Sequence, residues 1–196
     1  ELDNKNIDAL ESYFIQNLSS LDALSVILYK YALSILFYKK RILLHNDPED
    51  LHQFRVNIRK SRAFLKEFAF MFPEKHYTYF NETLKSFATQ TNQKRDLDVI
   101  KENLGKLTQK HSSIQKDIKQ QRTDEQQHIR EMLESQPFED LFLAYRQALK
   151  HTTLLNQDNQ QETIEVSARM VIKKLHHKII KKIEALEKNY SDNELH

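Results

Sequence analysis

A single glycine, Gly105, stands among the 196 residues of this chain, and only three prolines accompany it. Glycine supplies the positive φ angles of tight hairpin turns and permits the close backbone approach of phosphate-binding loops. The chain therefore lacks the residues from which β-hairpins, β-barrels and glycine-rich phosphate loops are built, which excludes all-β folds. Cysteine is also absent, which excludes disulfides and zinc–thiolate sites and is typical of a reducing compartment.

Apolar residues recur at helical spacing along almost the whole chain, and prolines and short polar clusters interrupt the pattern. We therefore predict an all-α protein whose short connections favour antiparallel helical bundles. The predicted helices cover residues 4–18, 21–44, 48–71, 74–91, 95–107, 114–134, 138–150 and 163–189.

The most apolar segment, residues 21–44, approaches the length of a membrane-spanning helix. Asp22 and Lys30 interrupt it, however, and a basic cluster at residues 39–41 divides its second half. Because a bilayer span needs about 20 nearly uncharged residues, we interpret this segment as a core helix and expect no membrane association. No signal peptide is recognisable, and we expect a cytoplasmic protein.

The segment 48–71 carries a stripe of cationic side chains at spacings of three and four residues. This arginine stripe consists of His52, Arg55, Arg59, Arg62 and Lys66. On a helix these five side chains fall within an arc of about 80° and span about 21 Å, with Lys60 somewhat further round. Because like charges at such spacings destabilise an isolated helix by about 0.2–0.5 kcal/mol per pair, we expect something to compensate them.

Two interpretations of the arginine stripe are open from the residues alone. The stripe can be a basic face that is solvated or neutralised by carboxylates of a neighbouring helix. Alternatively it binds a repeating anion. The preference for arginine favours the second interpretation, because a planar guanidinium donates to two phosphate oxygens at once, whereas lysine serves a merely solubilising face equally well.

The last predicted helix has a second basic face, opposite an apolar one. The basic face contains Arg169, Lys173, Lys174, His177 and Lys181. If this helix packs beside the arginine stripe with both basic faces on one side, the two line a cationic groove. A solvated helix whose lysine stems cover apolar surface is the alternative.

Two motifs give the chain a family resemblance. The pattern H-x-x-R-V-x-x-R-K-x-R at residues 52–62 resembles the opening motif of the CHAD domain, and R-D-L-D-V at residues 95–99 resembles that family's second motif. Weaker similarity extends through residues 138–149 and 168–186. Asn92 stands where the family usually has glycine, and we expect asparagine to keep the turn because it tolerates left-handed backbone. Lys60 stands where a second arginine is common.

The resemblance implies two helical-bundle halves, here one complete four-helix-type half at residues 1–135 and an incomplete second half at 136–196. It also implies non-catalytic binding of inorganic polyphosphate in a basic groove, without a cofactor or a metal, at polyphosphate granules or beside a fused or associated triphosphate-processing enzyme. By motif position, the implied ligands are His52, Arg55, Arg59, Lys60, Arg62 and Arg95. Asp96 is expected to orient an arginine or to cap a helix. Face geometry adds Lys66 and the basic face of the last helix.

Three other functions compete with polyphosphate binding. Binding to the phosphate backbone of duplex nucleic acid uses the same cations, whereas single-stranded sites interleave aromatic residues, which here lie mostly away from the arginine stripe. Metal-assisted hydrolysis requires converging carboxylates or histidines, but Asp96 and Asp98 diverge on a helix, as do His176 and His177. A helical protein-interaction module without anion specificity is the last alternative.

Overall fold

A computed structural model of the chain describes residues 18–104, 112–150 and 163–193. These residues form helices and no β-strand; an isolated bridge joins Ser19 to Thr163. The α-helices of this part of the chain are α1 (Ser20–Leu44), α2 (Pro48–Glu67), α3 (Glu74–Gln90), α4 (Asn92–Leu104), α5 (Ser112–Leu133), α6 (Gln136–Lys150) and α7 (Ile164–Asn193). The predicted all-α class is confirmed. The predicted helix at 4–18 lies outside the described residues.

Several helix ends differ from the prediction by one to four residues, and two of these differences concern the helices that carry the two motifs. The helix predicted to reach residue 71 ends as α2 at Glu67, and a 3-10 turn, Ala69–Met71, follows it. Pro73 disfavours helical backbone at the residue before it, and Phe72 is accordingly extended, with φ −114° and ψ 143°. The helix predicted to begin at Arg95 begins at Asn92, because the prediction followed apolar residues and the first turn of α4 is polar.

The turn between α3 and α4 also corrects an expectation. We expected left-handed backbone at Asn92, but no non-glycine residue in the described ranges has a positive φ. The chain passes from α3 to α4 through Thr91, whose φ of −95° and ψ of 0° lie in the bridge region, with φ negative. Asn92 is therefore free of backbone strain, and its side chain is available for a hydrogen bond.

The described residues fall into two compact units. The smaller contains residues 18–24 and 163–193, and the larger contains residues 25–104 and 112–150. The larger unit thus holds α2 to α6 and most of α1. The division into family halves at residues 135 and 136 stays a prediction.

Aromatic side chains from three helices form the core of the larger unit. Phe54 of α2 and Phe87 of α3 both pack on Phe138 of α6, with ring centroids 6.4 Å and 5.0 Å away. Phe80 of α3 meets Tyr145 of α6 at 4.9 Å. All five are buried, and full burial of one such side chain contributes about 1.5–3 kcal/mol. This core fixes which face of α2 is turned away from the interior.

Helix α1 is long and apolar enough to cross a membrane by length and composition alone. In the structure, 44% of its most apolar 18-residue window is buried, including Leu28 and Ile35 within the larger unit. This burial agrees with the interpretation of α1 as a core helix. Two residues of its basic cluster are paired: Lys39 contacts Glu139, and Arg41 Nε donates to the buried Asp50 at 2.5 Å.

The hydrophilic helix α5 is attached to the larger unit at its C-terminal end. Ile129, Met132 and Leu133 are buried. Arg130 Nη1 donates to the carbonyl oxygen of Leu43 at 2.6 Å, one of the carbonyls that the end of α1 leaves without a helical partner. The sparse apolar residues of α5 are therefore enough to bury one end of it.

Candidate anion-binding site

Helix α2 begins with a capped first turn that fixes its orientation. The side chain of Asp47 accepts a hydrogen bond from the backbone N–H of Glu49 at 2.9 Å, and Pro48 occupies the first helical position. Asp47 thereby satisfies one of the N–H groups that a helix start leaves free. Because Phe54 and Ile58 are fully buried, the arginine stripe lies on the side of α2 that faces away from the core.

An open cavity of about 420 Å³ lies against that side of α2. Three helices supply its polar lining: His52, Arg55, Arg59 and Arg62 from α2, Lys85 and Thr89 from α3, and Asn92 and Arg95 from α4. Four of the five stripe residues are thus brought together with the arginine of the second motif. The volume lies within the range of about 300–1,000 Å³ that is usual for ligand sites. No carboxylate lines the cavity.

Arg55 is the most strongly held of the cavity arginines. Its Nη1 donates to the carbonyl oxygen of Ala88 at 2.7 Å and to Thr91 Oγ1 at 2.5 Å, and its Nη2 donates to Asn92 Oδ1 at 2.9 Å. Partial burial lowers the pKa of Arg55, while the charge of nearby Asp96 opposes that effect. Because a guanidinium is protonated far above neutral pH, Arg55 is still a cation at neutral pH.

The other cavity arginines are held less firmly. Arg62 Nε donates to Asn81 Oδ1 of α3 at 3.3 Å, and Arg59 is exposed. In the described ranges, no carboxylate pairs with Arg55, Arg59, Arg62 or Arg95. Within this part of the chain no ion pair with a neighbouring helix neutralises these arginines, although the charge of Asp96 acts on Arg55. Solvation and a bound anion are the remaining ways to compensate the stripe.

Two residues assigned to the site by sequence lie outside the cavity lining. Lys60 Nζ lies over the ring of Tyr31, 5.9 Å from its centroid, at a distance typical of a cation–π contact. Lys66 is exposed at the far end of the stripe. The cavity lining therefore includes the stripe residues from His52 to Arg62 but not Lys66.

The second basic face belongs to α7, in the smaller unit. Its members Lys173, Lys174, His177 and Lys181 are exposed. Arg169 Nη2 contacts Glu165 Oε1 at 2.6 Å in an exposed pair, which contributes little to stability. The groove predicted to join this face to the arginine stripe stays a prediction.

The second motif serves two purposes in the structure. Arg95 lines the cavity, whereas Asp98 is buried and pairs with Lys94 and with Arg122 of α5. Asp96 is exposed and is the fifth residue of α4, so it does not cap that helix. It acts on Arg55 through its charge.

The sequence interpretation missed three cavity or cavity-side residues on α3. Asn81, Lys85 and Thr89 are spaced four residues apart and so share one face of that helix. This polar spacing was a usable signal. It becomes informative only once α3 is known to run alongside α2.

Most of the chain matches a known protein family. The family model described as the CHAD domain matches residues 29–196, which include both motifs and helices α2 to α7. No curated protein matches the chain significantly. On the strength of this match over most of its length, the chain belongs to the CHAD-domain family.

Proposed function

We propose that this CHAD domain binds inorganic polyphosphate non-catalytically in the cavity between α2, α3 and α4. The observation that carries the proposal is the lining of that cavity, which contains four arginines and a lysine but no carboxylate. Cations that lie close together without carboxylate partners create a positive potential, which favours the binding of an anion between them. Membership of a family associated with polyphosphate supports the same ligand.

The chemistry of the lining suits linked phosphates. Each arginine presents a planar set of donors that matches two phosphate oxygens, and His52 and Lys85 add further donors. Arg55, Arg59 and Arg62 are three or four residues apart on α2, which is about 4.5–6 Å along the helix axis. Successive guanidinium groups can therefore contact successive phosphates of an extended chain. A polymer of phosphates therefore uses the whole lining, whereas a single phosphate uses a part of it.

Binding to duplex nucleic acid is the second candidate, because the same cations contact its phosphates. Stacking of single-stranded bases needs aromatic faces beside the cations, and no phenylalanine or tyrosine lines the cavity. This lining favours a ligand without bases. A duplex needs no stacking, and only competition separates it from polyphosphate.

Catalysis is not part of the proposal. Metal-assisted hydrolysis of a phosphoanhydride would call for several carboxylates or histidines that converge on a cation. The cavity lining offers neither aspartate nor glutamate, and in the described ranges no group of three or more metal-ligating side chains is assembled. A retained ligand, rather than a turned-over substrate, fits these residues.

A calorimetric titration of the protein with polyphosphates of graded chain length tests the proposal. Affinity should rise with chain length, because each further phosphate that reaches a cation adds to avidity, and it should fall with salt through counterion release. Duplex DNA should displace long-chain polyphosphate poorly. Equal affinity for polyphosphate and for sulfate at the same total charge would overturn the proposal, and efficient displacement by duplex DNA would favour the second candidate.

A further inference from the structure

Within the described residues, the hydrogen-bond acceptors that hold Arg55 and Arg62 are uncharged. Arg55 donates to a backbone carbonyl, a hydroxyl and the amide oxygen of Asn92. Arg62 donates to the amide oxygen of Asn81. Elsewhere in the larger unit the arginines Arg41 and Arg122 are held by carboxylates instead. Arg130, outside the cavity, is also held by an uncharged acceptor, the carbonyl oxygen of Leu43. What distinguishes Arg55 and Arg62 from Arg41 and Arg122 is that, in the described ranges, no carboxylate holds them.

An uncharged acceptor and a carboxylate have different consequences for an arginine. A carboxylate forms the stronger, charge-assisted bond, but it also neutralises the guanidinium and competes with an incoming phosphate. An amide or hydroxyl oxygen restricts the guanidinium while leaving its positive charge intact. Restriction before binding improves affinity, because less side-chain freedom is lost when the ligand arrives.

The geometry at Arg55 leaves donors for a ligand. Both Nη1 hydrogens and one Nη2 hydrogen are used by Ala88, Thr91 and Asn92. Among the described residues, the remaining Nε–H and Nη2–H donors have no acceptor in the protein. A guanidinium has five such donors, and a remaining pair is sufficient for a two-point contact with phosphate.

We propose that Asn92 and Asn81 are positioning residues that orient Arg55 and Arg62 for phosphate without pairing either guanidinium group with a carboxylate. Asn92 is exposed and begins α4, and Asn81 is half-buried on α3, so each holds its arginine from an adjacent helix. This inference rests on the proposed polyphosphate function. It adds the reason why amides, rather than carboxylates, stand at these two positions.

The test uses the isosteric variants Asn92→Asp and Asn81→Asp in the full chain. Each keeps an oxygen at the acceptor position but introduces a carboxylate beside the arginine. We expect long-chain polyphosphate to bind each variant about tenfold more weakly, since an acidic group then opposes the phosphate. The salt dependence of binding should also become shallower by about one released counterion. In the absence of ligand, Tm should stay equal or rise, because the new ion pair stabilises the fold.

Three further variants separate positioning from structural support. Gln121→Glu places the same added charge on an exposed part of α5, outside the cavity lining, and should bind like the wild type. Asn92→Ser keeps an uncharged acceptor and should retain most of the affinity. Asn92→Ala loses the acceptor without adding charge, and should bind more weakly than the wild type but more tightly than Asn92→Asp; wild-type affinity in Asn92→Ala would refute the positioning role of Asn92.

The outcomes that overturn the inference differ from those that overturn the function. Wild-type affinity in both aspartate variants, equal affinities of Asn92→Ala and Asn92→Asp, or weaker binding accompanied by a lower Tm would each refute the positioning role. Failure of the wild type to bind polyphosphate would instead refute the proposed function, and the inference with it. Weaker binding at undiminished Tm, together with retention in Asn92→Ser, supports both.

Discussion

Lys94 Nζ donates to both carboxylate oxygens of Asp98, at 2.7 Å and 2.9 Å, and each of these side chains is only 1% exposed. Arg122 Nη2 of α5 approaches the same carboxylate to 2.6 Å. One buried carboxylate thus joins two cations and connects α4 to α5. Because Arg95 follows Lys94 on α4 and lines the cavity, this cluster also fixes the helix that carries a proposed ligand.

Replacement of Asp98 by asparagine should destabilise the protein strongly. Breaking a buried ion pair by removing one partner leaves an uncompensated charge and typically costs about 3–5 kcal/mol. Burial already lowers the pKa of Lys94, against the opposing effect of Asp98, so loss of the carboxylate leaves that ammonium without its main support. Urea unfolding measures the change.

The exposed Asp96, two positions away, provides the matched control for Asp98. Asp96→Asn should change the free energy of unfolding by no more than about 0.5 kcal/mol. The double variant Lys94→Met with Asp98→Leu should recover part of the stability that Asp98→Asn loses, because the buried ammonium is then removed together with its carboxylate and only Arg122 loses a partner. A loss of less than about 1 kcal/mol in Asp98→Asn would show that the cluster is solvated.

Tyr145 should make the stability of the protein fall at high pH. This side chain is fully buried, and burial raises its pKa above the ordinary value of 10.0, an effect that the hydroxyl of Ser61 opposes only in part. Above pH 10 the tyrosine ionises in the unfolded chain while the folded chain keeps its proton. The stabilising contribution is therefore complete below pH 10 and is lost as pH rises, by about 1.4 kcal/mol per pH unit.

The variant Tyr145→Phe tests this pH dependence by urea unfolding between pH 8 and about pH 11. It should lose less stability over that range than the wild type, because phenylalanine has no proton to release. Tyr79→Phe, at an exposed tyrosine of α3, should keep the wild-type slope. If Tyr145→Phe and the wild type lose stability in parallel, ionisation of Tyr145 does not contribute to unfolding at alkaline pH.

Helical periodicity was sufficient to predict the face of α2 that carries the stripe. Apolar residues such as Phe54 and Ile58 must be buried, and the spacing of 3.6 residues per turn then decides where Arg55 and Arg59 lie. The same reasoning applies within one helix only. It therefore located the cations of α2 but not the partners that surround them.

The partners depend on which helices are neighbours, and single-helix patterns do not contain that information. Asn81 and Asn92 look like ordinary surface amides in the sequence, and their contacts with arginines exist only because α3 and α4 pack beside α2. The sequence motif does not reveal the structural role of Asp98, although its buried partner Lys94 stands four residues before it. A pair at that spacing is usually exposed on a helix, so its burial is a tertiary effect.

The triple variant Arg55→Ala, Arg59→Ala and Arg62→Ala should reduce polyphosphate binding to background. It removes three of the five arginines and lysines that line the cavity. The salt dependence of the affinity should fall by about one released counterion for every phosphate that no longer contacts a cation. Circular dichroism should show that helicity is kept, because the buried face of α2 is unchanged. Calorimetric titration with long-chain polyphosphate measures the binding.

A charge-matched triple variant controls for the loss of net positive charge. Lys101, Lys116 and Lys119 are exposed on α4 and α5 and do not line the cavity. Their replacement by alanine should leave the affinity within about twofold of wild type, since distant exposed charges are largely screened. Equal weakening by both triple variants would mean that general electrostatics, rather than the cavity, binds the polymer.

The exposed cations of α7 should matter only for long polyphosphate chains. Lys173, Lys174 and Lys181 lie in the smaller unit, whereas the cavity lies in the larger one. A short chain that occupies the cavity has no phosphates left for a second basic surface, whereas a long chain can contact more than one set of cations and gain avidity. Replacing the three lysines by glutamine should therefore weaken binding of long chains by about threefold or more and leave short chains unaffected. Calorimetric titration of the wild type and the variant with short and with long chains measures the difference. If the variant binds both chain lengths as tightly as the wild type does, the basic face of α7 is a solvated surface that takes no part in binding.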